Sequence, residues 1–292
     1  MSSFHSRGIP LMLTAVAVFS LMDASLKQLT GSYPPWQVSC IRGLASIPVM
    51  LLVVGWRGEW GRLLPARWWP HLARGVLAVG MLSLFVYSLQ TLPLTETYAI
   101  FLCAPLIVTA LSALLLHEQV DWHRWLAVVL GLLGVLIMLR PSASRFVSVG
   151  AAAALGSALC YSLSAITIRT LTRSESTLSV AFSFVVTVGL VNGAIAWPHW
   201  VRVQPAHWPW IVLIGITGAL GQMLIIQAFR AASPARVAPF EYTALLWGLM
   251  FDWVLWRTLP DQRTLIGGAI VTASGLYVIY REHFRSAVVV TH

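Results

Sequence analysis

Apolar runs close to 20 residues long recur ten times along this chain, and that spacing constrains its fold more than any other feature. A bilayer core of roughly 30 Å takes about 20 apolar residues per helical crossing. The runs fall at 9–29, 36–55, 71–90, 96–116, 122–139, 149–171, 178–197, 209–229, 237–256 and 264–280, here named spans 1 to 10. Between them stand helix breakers such as Gly31-Ser32-Tyr33-Pro34-Pro35, Leu92-Pro93, Arg140-Pro141, Pro198, Ser233-Pro234 and Leu259-Pro260. No connection is long enough for a soluble domain. Only 10% of the 292 residues are charged, against roughly 25% in a soluble chain. The expected fold is an all-α integral membrane protein of ten transmembrane helices.

The formal charge of +9 suggests a nucleic-acid partner only until its distribution is seen. The basic residues stand singly between apolar runs, with no stripe or tail, so no nucleic acid is expected and the bilayer is. With the N-terminus inside, 12 Lys/Arg lie at cytoplasmic ends and 6 at the far ends, setting Arg42 aside within its span. That bias places both termini in the cytoplasm of a multi-pass inner-membrane protein. The first run looks like a signal peptide near Ala15-Val16-Ala17 but continues well past it, so cleavage is not expected. Cys40, Cys103 and Cys160 lie within apolar runs at no metal or redox spacing. Many of the 14 tryptophans, including Trp36, Trp122, Trp197 and Trp208, sit at run edges, where such rings favour the headgroup level.

Sliding the second half back by 140 to 142 residues aligns spans 1 to 5 with spans 6 to 10. Lys27 then meets Arg169, Ala104 meets Ala244, Asp121 meets Asp261, Gly134 meets Gly275 and Arg140 meets Arg281. Chance similarity between apolar helices is the alternative. Five being odd, two such halves, 1–140 and 141–292, enter the membrane in opposite directions, the plan many secondary transporters use for alternating access.

Polar residues form stripes at helical spacing on some spans and not others. Span 1 carries Ser20, Asp23 and Lys27; span 3 carries Gly80, Ser83, Tyr87 and Gln90; span 6 carries Ser157, Tyr161 and Ser164. Span 4 aligns Tyr98, Phe101, Pro105, Thr109 and Ser112, and span 9 aligns Glu241, Leu245, Gly248 and Asp252. Span 5 has no polar side chain from Leu126 to Leu139 and suits lipid. Stripes of this kind line a pathway or make interhelical hydrogen bonds of about 0.6 kcal/mol each.

Ionisable groups within a span cost about 2.5 to 3.5 kcal/mol at a helix centre, so each needs a partner or a task. Asp23 and Arg42 lie at similar depth and are expected to pair, either locking spans 1 and 2 together or serving substrate or gating. Glu241 accepts a substrate ammonium or a coupling proton, or is an end carboxylate near Arg236. Glu96, in the first turn of span 4, complements the helix dipole without further purpose. Pro105 and Pro239 are hinge candidates, since a proline frees a carbonyl inside its span. Gln222 follows Gly215 and Gly218 on one face of span 8, a stripe that serves the cavity or packs helices closely. Gly131, Gly134, Gly268 and Gly275 pack helices within one chain or between two copies, leaving a homodimer open.

Tyr87-Ser88-Leu89-Gln90-Thr91-Leu92-Pro93-Leu94-Thr95-Glu96, then Ala104-Pro105-Leu106 and Leu114-Leu115-Leu116-His117-Glu118-Gln119-Val120, resemble the EamA-type ten-helix branch of the drug/metabolite transporter superfamily. Ala238-Pro239-Phe240-Glu241-Tyr242-Thr243 and Leu245-Leu246-Trp247 are similar to the matching stretch of its ninth helix. The resemblance covers essentially the whole chain. It implies two inverted five-helix repeats, with spans 1, 3, 4, 6, 8 and 9 around a central cavity and spans 5 and 10 outside. It also implies a transporter, and YddG-like exporters of aromatic and other neutral amino acids are one type within that branch. Arg257-Thr258-Leu259-Pro260 departs from the family, which often has Gly-Glu before that proline.

For a neutral amino acid the site needs carboxylate donors, ammonium acceptors and an apolar wall. Ser83, Tyr87, Tyr98, Phe101, Tyr161, Ser164, Gln222 and Glu241 are the expected cavity residues, with no cofactor. A membrane-embedded transferase or protease lacks its motifs here, and a metal site at His117, Glu118, Asp121 and His123 is not expected. A structural membrane subunit is the other alternative, and it has no need of converging polar stripes.

Overall fold

The computed structural model describes residues 8–62, 68–115, 122–139, 148–171, 176–231 and 238–289. These residues are helical with short connections, and no strand occurs among them. The helices are α1 Gly8–Thr30, α2 Pro35–Arg57, α3 Trp68–Thr91, α4 Leu94–Phe101, α5 Ala104–Leu115, α6 Trp122–Leu139, α7 Val149–Leu171, α8 Thr177–Ala196, α9 Trp208–Ala231, α10 Ala244–Trp256 and α11 Gln262–Val289. Five stretches, Gly8–Thr30, Pro35–Arg57, Arg74–Thr91, Leu178–His199 and Pro205–Ala228, are long and apolar enough to cross a bilayer. Span 10 extends well beyond its apolar run, to Val289.

Spans 4 and 9, where Pro105 and Pro239 are the hinge candidates, are interrupted. Span 4 stops at Phe101, turns through Leu102 and Cys103, and restarts at Ala104. Pro105 has no N–H to give the Phe101 carbonyl, so the α-helical ladder cannot run through this point. Span 9 opens with a 3₁₀ segment, Ala238–Thr243, that holds Pro239, and turns α-helical at Ala244. The two restarts fall at Ala104 and Ala244, the pair matched by sliding the halves together. Ser162 on α7 donates to the Ala104 carbonyl at 3.0 Å, beside the restart. A buried helix start needs partners for its first N–H groups. Asp252 on α10 caps α4 from outside, accepting the Leu94 N–H at 3.0 Å and the Thr95 N–H at 2.7 Å.

Packing follows a pattern of exchange. α1 packs along α9 while α3 packs along α7; α2 packs on α9 while α3 packs on α8. α2 also packs on α8, α6 on α11 and α4 on α10. Replacing each span by the one five further on returns these contacts to themselves. Glycines set the closest approaches. Gly43 on α2 lies against the backbone of Gly189 on α8, and Gly134 on α6 against that of Gly267 on α11. Gly215 and Gly218 bring α9 onto Ala45 and Ser46 of α2, so these stripes pack helices within the chain. α6 turns Leu126, Val129, Leu130, Leu132, Leu133, Leu136 and Ile137 outward, as suits a helix facing lipid. Trp122, Trp197 and Trp208 are exposed at helix ends.

A methyl at position 43 has no room beside Gly189, so Gly43→Ala should cost about 1–3 kcal/mol through overpacking. Gly31→Ala, with nothing within 4 Å of the added carbon, is the control. Thermal unfolding in detergent checks the pair: a lower Tm for Gly43→Ala alone is expected, and equal values would contradict the close crossing.

Candidate substrate pathway

Two charges lie in the middle of the bundle. Asp23 of α1 and Arg42 of α2 are each 8% exposed. They are near enough to act on each other electrostatically. Their closest partners, however, are different groups. Asp23 accepts a 2.8 Å hydrogen bond from the Tyr98 hydroxyl on α4. Arg42 turns its Nε toward the Met22 sulfur at 3.3 Å and lays its guanidinium over the Phe184 ring of α8 at 5.5 Å.

From Tyr98 an aromatic ladder leads away from Asp23. Tyr98 stacks on Phe85 with centroids 6.2 Å apart, Phe85 meets Phe101 edge-on at 5.4 Å, and Phe101 tilts against Tyr161 at 5.4 Å. These are the offset and edge-to-face arrangements that ring quadrupoles favour. Glu241 stands at the far end, close enough to act electrostatically on Tyr161 and Tyr242. The ladder thus joins two carboxylates and draws on α3, α4, α7 and the 3₁₀ segment of span 9. On the other side of Arg42 a small cleft lies between α2, α8 and α9, lined by Arg42, Ser46, Phe184, Val188 and Gln222 among others.

The expected cavity residues therefore divide. Tyr98, Phe101, Tyr161 and Glu241 belong to the ladder, and Gln222 shares the cleft with Arg42. Ser83 donates to the Asn192 side chain at 2.6 Å, joining α3 to α8. Tyr87 is half-buried on α3, and Ser164 is buried on α7. His117, Glu118 and Asp121 lie outside the described residues, as do the side chains of Thr109, Ser112, Arg169 and Pro239. Sequence reading passed over Phe85, Asn192, Arg74 and Phe184. Asn192, an amide within an apolar run, was the one with a visible signal.

The Lys27 end of the bundle is tied across several elements. Lys27 donates to the Leu92 carbonyl, and reaches that of Leu89 at 3.5 Å. Its ammonium lies 5.2 Å from the Trp256 ring centroid and within electrostatic reach of Asp252 and Glu96. Nearby, Tyr33 bonds the His207 ring at 2.7 Å and accepts the Gln204 N–H at 2.9 Å. Gln37 makes a two-way bond with the backbone of Val201, at 2.6 and 2.9 Å. Asp252, 1% exposed, matters most here because it satisfies two buried N–H groups at once. Asp252→Ala should destabilise by about 2–4 kcal/mol, since each orphaned N–H costs about 1–3 kcal/mol. Asp252→Asn, with one acceptor left, should lose less. Thermal unfolding in detergent reads both, and an Asp252→Ala protein as stable as the parent would rule out the cap.

Known proteins place this arrangement in a family. The EamA-like transporter family matches residues 6–140 and again 148–281. The S-adenosylmethionine uptake transporter of Rickettsia prowazekii is 24% identical over 95% of this chain and 94% of its own length. The pseudopaline exporter CntI of Pseudomonas aeruginosa is 27% identical over 91% and 94% respectively. A solved crystal structure, 19% identical, matches the fold with a TM-score of 0.66 over 92% of this chain and 95% of the other. The chain, a multi-pass membrane protein, belongs to the EamA-like transporter family of the drug/metabolite transporter superfamily.

Proposed function

We propose that this transporter exports small zwitterionic metabolites, neutral or aromatic amino acids foremost, across the inner membrane by alternating access between halves 1–140 and 141–292. The observation that carries this reading is the central grouping of Asp23, Arg42 and Tyr98 at the head of an aromatic ladder. A carboxylate there accepts an ammonium, a guanidinium donates to a carboxylate, and aromatic rings supply a wall for the side chain. Glu241 at the other end offers a second ammonium acceptor or a proton carrier. One relative is named for uptake of S-adenosylmethionine and another for export of pseudopaline, and export is the direction proposed here.

The exchange pattern of helix contacts supports two inverted halves, and the paired restarts at Ala104 and Ala244 supply a flexible joint in each. With both termini cytoplasmic, the Lys27 end faces outward. Its ties through Lys27, Asp252, Tyr33 and Gln37 then describe a state closed on the outer side, and outward release requires them to part.

Counterflow in proteoliposomes tests the reading. Labelled leucine or phenylalanine should accumulate against an internal pool of the same amino acid, and efflux from preloaded everted and right-side-out vesicles assigns the direction. Absence of protein-dependent flux across a panel of neutral amino acids would reject the substrate class. Pro105→Ala restores the missing N–H and should lower the exchange rate at least about fivefold, as hinge changes do when conformational steps limit turnover. Unchanged exchange by that variant would remove the joint at Ala104 from the mechanism.

A further inference from the structure

Two buried arginines share one aromatic ring. Arg42 lies over Phe184 at 5.5 Å and Arg74 over the same ring at 5.9 Å. Each is 8% exposed. Arg42 keeps one terminal guanidinium nitrogen, and Arg74 its Nε, without a hydrogen-bond acceptor among the described residues. Arg74 spends one donor on the Val180 carbonyl at 3.2 Å. Asp23 is the carboxylate within electrostatic reach of Arg42.

A guanidinium inside a membrane protein ordinarily finds a carboxylate, because desolvating it alone is costly. Here only Arg42 has a carboxylate in reach among the described groups, and both guanidiniums keep an unsatisfied donor. The small cleft beside Arg42, lined also by Ser46, Phe184 and Gln222, does not reach Arg74; an anion that enters as the helices part meets a guanidinium and an amide at once. Arg42 stands seven residues from the Pro35 end of α2, and Arg74 six residues from the Trp68 end of α3, each about 10 Å from its helix end. Because α2 and α3 run antiparallel, those ends belong to opposite faces of the bundle. Phe184 holds the two guanidiniums between them by cation–π contact.

We propose that Arg42, Phe184 and Arg74 form a two-station carboxylate site, in which Arg42 holds the carboxylate of the bound solute and Arg74 receives it nearer the opposite face. The site deepens the amino-acid reading above and rests on it for the solute's identity. Arg42's planar fork suits two parallel hydrogen bonds to a carboxylate, which a lysine cannot reproduce. Asp23, held by Tyr98, remains for the ammonium.

The test separates the two charged groups of an amino acid. Purified protein is titrated with 4-methylpentanoate, a carboxylate without an amine, and with 3-methylbutylamine, an amine without a carboxylate, while Tm is followed against sodium chloride controls. The carboxylate should raise Tm. Arg42→Gln should weaken its apparent affinity at least about tenfold and Arg74→Gln by less, with the response to the amine kept in both. Should Arg42→Gln fail to fold, Arg42→Lys keeps the charge and must still weaken the carboxylate response. An unresponsive parent, or a carboxylate response equal in parent and Arg42 variant, overturns the site. Carboxylate binding that depends on Arg42, without amino-acid counterflow, would reject the amino-acid reading and leave the site standing.

Discussion

Charge is expensive inside a bilayer, and this chain places a carboxylate and a guanidinium two turns inside its first two helices, Asp23 seven residues before Thr30 and Arg42 seven residues after Pro35. Asp23 and Arg42 are both almost wholly buried. Each charge costs about 2.5 to 3.5 kcal/mol at a helix centre before any compensation. Compensation determines what surrounds them. Tyr98 must reach Asp23, which fixes α4 against α1, and Phe184 must underlie Arg42, which fixes α8 against α2. The aromatic ladder thus starts from Asp23 and the cleft from Arg42. A solute with both charges can meet its complement at that junction, and an uncharged one gains little there.

The second constraint is that a backbone in hydrocarbon must satisfy its own polar groups. Helix interiors do so automatically, but helix ends and the interrupted spans 4 and 9 depend on others. Asp252 serves the start of α4, Ser162 serves the Ala104 carbonyl, and Lys27 serves carbonyls at the end of α3. Several polar side chains that look functional in sequence are therefore occupied with backbone. Ser83 likewise joins Asn192, tying α3 to α8. Bonds of this kind can be exchanged as helices shift, whereas the glycine crossings at Gly43 and Gly134 bring backbones into direct contact and hold the frame.

Much of the fold was legible in the sequence because hydrocarbon thickness imposes a single repeat length. The limits of α6 and α7 fall where the apolar runs place them, and most other ends move by three residues or fewer. Pro105 and Pro239 announced interruptions, but the proline alone does not tell whether a helix kinks or stops. Partners across the bundle were harder to read. Asp252 looks like one member of a stripe, and its task depends on N–H groups 157 and 158 residues earlier in the chain. Arg74 resembles an ordinary basic residue at a cytoplasmic helix end, and only its burial against Phe184 separates it from Arg57 or Arg62. Phe85 and Phe184 are single rings in apolar runs, where nothing distinguishes a ladder rung from core.

An alternating pathway through the Arg42 cleft can be tested by its exposure to water. In a protein freed of Cys40, Cys103 and Cys160, a single thiol introduced by Gln222→Cys would be labelled with a membrane-impermeant maleimide from each face in oriented vesicles. Alternating access predicts labelling from both faces, with saturating amino acid changing the ratio between them. Labelling from one face only, indifferent to substrate, would contradict a pathway that crosses the bundle at Arg42.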